Sequence, residues 1–142
     1  MKNSIDIIKS KIFDQYDKDP PLDNDVIEKI SDTLDLPEDY IYWMQWANGG
    51  EGRFGDMYFS FWPIDELEAL NKDFSINKYL GNRSLCFGSN EGGHGYVFKS
   101  LPADSSVWAV PLGDLDWSSA VQVGSNFSEA LLNAIEGKFS VS

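Results

Sequence analysis

Apolar residues in the first third of the chain recur at intervals of three and four, the spacing typical of an amphipathic helix. One such stripe predicts a helix that Asp19-Pro20-Pro21 ends. A second helix is predicted from about Asp25 to Leu34. The stripes consist of Ile5, Ile8, Ile12 and Tyr16 in the first helix, and Val26, Ile27, Ile30 and Leu34 in the second.

A third helix is predicted from Pro37, because a proline at the first helical position loses no hydrogen bond. Its apolar face contains Tyr40, Trp43, Met44 and Ala47. Tyr42 and Trp46 lie on the opposite side, either exposed or covered by a later loop. Asn48-Gly49 is predicted to end the helix, since glycine adopts left-handed backbone angles without a Cβ clash.

Beyond Gly55 the apolar period changes from about 3.6 to two, which indicates strands. Strands are predicted at 57–62, 85–87, 96–98, 107–110 and 120–123, and a short helix at about 63–71. A last helix carries Phe127, Leu131, Ala134 and Ile135, and Gly137 ends it. Helices first, then strands, then one helix predict a single α+β domain over residues 1–142. Its N-terminal helices pack on a mainly antiparallel sheet, with a C-terminal helix.

The formal net charge of −12 narrows the range of partners. Nucleic-acid binding requires clustered Lys and Arg to replace counterions, and the sequence has no such cluster. Anionic membranes repel an acidic chain as well. The charge favours a basic protein partner, although acidity also serves solubility alone.

Four features bear on location and chemistry. The N-terminal MKNSIDIIKSKIF lacks an uninterrupted apolar run, and the single Cys86 cannot form an internal disulfide, so a cytoplasmic protein with a buried thiol is predicted. Gly50 to Gly55 matches G-x-G-x-x-G, but a helix precedes it and a strand follows, the reverse of a dinucleotide site. His94 is the one histidine and is predicted to lie on a surface hairpin loop. No catalytic residue, metal ligand or cofactor site is predicted.

Several motifs together resemble the SUKH superfamily, the family of the fungal cell-wall-assembly regulator domain. They are Leu36-Pro37-x-Asp39-Tyr40-x-x-Trp43-Met44, Asn48-Gly49-Gly50, Leu85-Cys86-Phe87-Gly88-Ser89-Asn90, Tyr96-Val97-Phe98, Val107-Trp108 and Phe127-Ser128-Glu129-Ala130-Leu131-Leu132. The resemblance covers about 26–137 and leaves 1–24 as an extra helix and proline-containing loop. Asn126 departs from the serine usual at that position.

The resemblance implies a non-catalytic binding domain. Bacterial members are mostly immunity proteins that neutralise a secreted toxin, commonly a nuclease, whereas fungal members are regulatory protein-interaction modules. The immunity protein is the preferred hypothesis, and the regulatory interaction module is the alternative. A small enzyme is disfavoured because the sequence has no catalytic motif. The motif residues Leu36, Pro37, Tyr40, Trp43, Asn48, Gly49 and Gly50 are assigned to helix geometry and packing.

A toxin-binding surface would combine aromatic anchors with acidic groups that meet a cationic cleft. The candidate anchors are Tyr42, Trp46 and Trp117, for which burial beneath a strand or loop is the alternative. The candidate charges are Glu51, Asp56, Glu91, Asp114 and Asp116.

Overall fold

A computed structural model describes residues 2–138, with side chains from residue 3 onward. Its α-helices are α1 (Lys2–Ile12), α2 (Asn24–Leu34), α3 (Glu38–Trp46), α4 (Leu67–Asp73), α5 (Ile76–Leu80) and α6 (Phe127–Ile135). Its strands are β1 (Tyr16–Lys18), β2 (Gly50–Phe54), β3 (Met57–Phe61), β4 (Leu85–Ser89), β5 (His94–Ser100), β6 (Asp104–Pro111) and β7 (Val121–Gly124). Two short 3₁₀ turns span Ile64–Glu66 and Trp117–Ser119.

The seven strands form one antiparallel sheet whose spatial order, β1 to β7, is also the chain order. The α+β class and the C-terminal helix are therefore confirmed. None of the helices within residues 2–138 combines the length and the apolarity needed to cross a membrane.

The two faces of the sheet differ because side chains alternate along each strand. The inner face packs on α1, α2, α3 and α6, and its buried aromatic residues include Phe54, Phe59, Phe61, Phe87 and Phe98. On the outer face, α5 and the loop 112–120 cover the β4–β6 part, where Cys86, Val97 and Val110 are buried. Burial raises the pKa of the Cys86 thiol to about 12.

The outer face of β1–β3 is polar and accessible to solvent. Its side chains are Asp17 on β1, Glu51 and Arg53 on β2, and Tyr58 and Ser60 on β3. All five are exposed or half-buried. We refer to these five residues as the β1–β3 outer face.

Two strands were not predicted from the sequence. The first helix was predicted to include Tyr16, but it ends at Ile12. Tyr16 is instead the first residue of β1, and its ring is still buried. Gly50–Phe54 forms β2, not a loop, between β1 and β3. The glycines suit this strand because Tyr16 occupies the space above them. A Cβ on Gly50 would lie 2.5 Å from the Asp17 carbonyl oxygen, and one on Gly52 would lie 2.8 Å from that of Gln15.

The end of α3 also differs from the prediction. Ala47, the first residue after α3, is extended (φ −151°), and the φ angle becomes positive two residues later, at Gly49 (+99°) and Gly50 (+110°). Asn48 is buried, and its side chain accepts a hydrogen bond from the Ile64 amide at 2.8 Å. The Asn-Gly-Gly motif thus leads the chain from α3 into β2 and ties this junction to the segment after β3.

Smaller differences concern individual residues and boundaries. Val26, predicted on the buried stripe of α2, is 40% exposed. The short helix α5 was not predicted, whereas α2, the buried face of α3, the later strands and α6 are confirmed to within a few residues.

Candidate protein-binding surface

Two carboxylates lie directly across from each other on the β1–β3 outer face. Asp17 on β1 is the register partner of Glu51 on β2, and Glu51 is in turn opposite Ser60 on β3. With Asp19, these residues line a depression of about 270 Å³. Like charges directly opposite in an antiparallel sheet destabilise it by roughly 0.2–1 kcal/mol. The arrangement therefore concentrates negative charge at some cost to stability.

Tyr58 connects this face to the β4–β5 loop. Burial raises the pKa of the Tyr58 hydroxyl, and the negative charges of Glu51, Glu91 and Asp17 raise it further. Glu91 in that loop and Glu51 on β2 therefore both act on the Tyr58 hydroxyl.

Asp56 occupies the turn between β2 and β3 and is exposed. Its backbone carbonyl accepts a hydrogen bond from the Arg53 guanidinium at 3.5 Å. Arg53 contributes a positive charge to the β1–β3 outer face, whose acidic residues are Asp17 and Glu51, and Asp19 lines the same depression.

Asp114 and Asp116 lie in the loop 112–120, which covers β4–β6. The Asp114 carboxylate accepts a hydrogen bond from the Ser119 hydroxyl at 3.0 Å. The Asp116 carboxylate accepts one from the Ser118 amide at 2.9 Å, which lowers the Asp116 pKa. Both carboxylates are thus oriented by their own loop.

Trp117 belongs to that loop and is half-buried against α5. Its indole N–H donates to the Leu80 carbonyl at 2.8 Å, and its ring meets the Trp108 ring edge-on at 5.7 Å. The outer edge of this region holds two exposed aromatics that the sequence analysis did not select, Phe74 (40% exposed) and Tyr79 (58% exposed). They stand among polar residues in Asn71–Leu80, a signal that could have identified them.

Tyr42 and Trp46 lie on the helical side of the sheet. The Trp46 ring stacks on Tyr16 with centroids 5.7 Å apart, and the ammonium groups of Lys9 and Lys18 lie 5.1 and 5.0 Å from the Trp46 ring centre. The Tyr42 hydroxyl donates to Asp6 at 3.0 Å. The segment that covers both rings is the earlier α1–β1, not the later loop that was predicted as one alternative.

Asp39 has a role that the sequence analysis missed. It is 1% exposed, and its carboxylate accepts hydrogen bonds from both the backbone amide and the hydroxyl of Ser128, each at 2.9 Å. Ser128 is the second residue of α6, so the Asp39 charge faces the positive end of that helix. The acidic position of the Leu-Pro-x-Asp-Tyr motif therefore holds α3 against α6.

His94 is the first residue of β5 and half-buried, which corrects its predicted place on a surface loop. Its Nδ1 atom is buried without a hydrogen-bond partner in residues 3–138. In the same residues, no three His, Cys, Asp or Glu side chains gather as metal ligands.

The SMI1/KNR4 family (SUKH-1) model matches residues 21–133. A search of curated proteins found no match to the chain. The matched span begins after β1, so α1, Tyr16 and Asp17 precede it.

Proposed function

We propose that this chain, which belongs to the SMI1/KNR4 family (SUKH-1), is an immunity protein. It binds a cognate secreted toxin of a polymorphic or contact-dependent inhibition system and neutralises it without catalysis. The toxin is a nuclease or another protein that acts on nucleic acid, and the encounter takes place in the cytoplasm of the producing cell.

The observation that carries this proposal is the placement of Asp17 directly opposite Glu51. Such a pair destabilises the sheet, because each carboxylate raises the energy of the other. A cationic surface laid over both would relieve the repulsion. Nucleases carry such surfaces to hold phosphates, so an acidic protein can occupy the same cleft.

The positions of two lysines support the same surface. Lys9 and Lys18 lie over Trp46 on the helical side, away from Asp17 and Glu51, so Arg53 is the one basic residue among the five of the β1–β3 outer face. A standard protein interface covers about 800 Å² per partner, more than the β1–β3 outer face alone offers. The neighbouring β4–β5 loop with Glu91 extends the surface.

Co-expression with the toxin domain encoded beside the gene tests the proposal. The unaltered chain should keep the cells alive, co-purify with the toxin and inhibit its nuclease activity. Asp17→Asn with Glu51→Gln should weaken the complex about tenfold or more, whereas Asp23→Asn with Asp25→Asn, which removes two exposed charges at the start of α2, should change it little. Cell death and no complex at low salt would refute the assignment.

A further inference from the structure

A groove of about 510 Å³ lies between the α4–α5 turn and the loop 112–116. Phe74 and Tyr79 line it on the side of α4 and α5, and Asp114 and Asp116 line it on the side of the loop. The Phe74 ring stacks on Trp62, with centroids 5.4 Å apart, which fixes its orientation. The groove therefore combines two aromatic residues with two acidic residues.

The carboxylates of this groove have no internal cation. Within residues 3–138, neither Asp114 nor Asp116 lies within salt-bridge distance of a Lys, Arg or His. The nearby Lys78 instead lies over the Tyr79 ring, 5.3 Å from its centre. The Lys78 ammonium group therefore lies at the Tyr79 ring, and the Asp114 and Asp116 carboxylates remain exposed to solvent.

We propose that this groove receives an arginine side chain from a basic segment of the partner protein. A guanidinium stacks on aromatic rings and binds carboxylates through a planar fork of donors, so it matches both sides of the groove. The net charge of −12 makes a second copy of this chain an unfavourable occupant. The choice of a basic protein as partner rests on the proposed function.

The groove adjoins the acidic surface already described. The Leu112 amide donates to the Gly93 carbonyl at 2.8 Å, which joins the loop 112–116 to the β4–β5 loop that carries Glu91. One partner could therefore contact the β1–β3 outer face and insert an arginine in the groove.

Titration of the ¹⁵N-labelled chain with acetylated, amidated hexa-arginine tests the inference by NMR. Saturable shifts should centre on 74–79 and 112–116, and hexa-lysine should bind at least about threefold more weakly because it stacks less well. Phe74→Ala and Asp114→Asn with Asp116→Asn should each weaken hexa-arginine binding about five- to tenfold. Asparagine keeps an oxygen for the Ser118 and Ser119 hydrogen bonds.

Two matched variants serve as controls. Phe13→Ala removes another exposed ring (70% exposed) and Asp23→Asn with Asp25→Asn removes two other exposed charges, and both should bind hexa-arginine as the parent chain does. Equal losses in test and control variants, shifts confined to the β1–β3 outer face, or equal binding of the two peptides would overturn the inference.

The toxin assay separates this inference from the proposed function. If the groove variants bind and neutralise the toxin as tightly as the parent chain, the groove inference fails and the proposed function stands. If the parent chain binds hexa-arginine in the groove but neutralises no toxin, the proposed function fails by itself.

Discussion

The Asp39 carboxylate joins two helices that are far apart in the sequence. The motif that contains it placed Asp39 at the start of α3, where negative charge is favourable, and one carboxylate oxygen does accept a hydrogen bond from the Tyr40 amide of that helix. The other oxygen accepts from the amide and hydroxyl of Ser128 at the start of α6. A local pattern identifies a residue suited to a helix N-terminus, but the second helix that it contacts depends on tertiary packing.

Replacing Asp39 with alanine should lower the free energy of unfolding by about 3 kcal/mol. The change removes the buried carboxylate that accepts hydrogen bonds from the Ser128 amide and hydroxyl and from the Tyr40 amide, each at 2.9 Å. Ser128→Ala removes only the hydroxyl and should cost about 1 kcal/mol. Urea denaturation measures both, and a loss below 0.5 kcal/mol (roughly the effect of an ordinary surface substitution) for Asp39→Ala would contradict this account.

Gly50→Ala should destabilise the chain by about 3 kcal/mol or more. Its backbone has φ +110° and its Cβ would lie 2.5 Å from the Asp17 carbonyl oxygen, so strain and a backbone clash add. Gly93 is the matched control, since it has φ +103° but nothing within 4 Å of its Cβ position. Gly93→Ala should cost only the strain, about 1–2 kcal/mol. Thermal or urea unfolding that shows equal losses would argue against the clash.

At the scale of elements, apolar spacing predicted most of the helices and later strands, because each buries one continuous stripe or alternating face. It failed for β1 and β2. Tyr16 satisfies helical spacing after Ile12 yet lies in a strand, and Gly50 and Gly52 lack the side chains that usually identify one. Their pairing depends on the Tyr16 ring filling the space above two glycines, and no local pattern records such a contact.

Adjacent isoleucines test how α1 contributes to the core. Ile8 is fully buried and Ile7 is 51% exposed. Ile8→Ala should therefore lower the free energy of unfolding by about 2–4 kcal/mol, and Ile7→Ala by about 0.5 kcal/mol or less. Similar urea midpoints for the two variants would mean that α1 does not pack as described.

At the scale of the whole molecule, the distribution of charge matters more than its sum. The sequence analysis selected Glu51 and Glu91 but not Asp17, which only the sheet register places opposite Glu51. Composition could not show that Tyr42 and Trp46 lie on the helical side of the sheet, with lysines above Trp46, whereas Asp114 and Asp116 lie on the other side. Phe74 and Tyr79 stand among polar residues in the sequence, but only the fold places them across a groove from Asp114 and Asp116.

Asp17→Asn should raise the free energy of unfolding by about 0.5 kcal/mol at low ionic strength, because it removes the repulsion from Glu51. The gain should shrink at high salt, where exposed charges are screened. It should also disappear when Glu51 is already glutamine, as a double-mutant cycle by urea denaturation can measure. An unchanged gain in the Glu51→Gln background would mean that the two carboxylates do not interact.

The contact between Asp39 and Ser128 has a consequence for the order of assembly. Each strand pairs with its sequence neighbour, although α2 and α3 separate β1 from β2, and α4 and α5 separate β3 from β4. The contact between Asp39 and Ser128 spans 89 residues and requires α6. Long-range closures of this kind form late. In stopped-flow experiments, Asp39→Ala should accordingly accelerate unfolding and leave the refolding rate nearly unchanged.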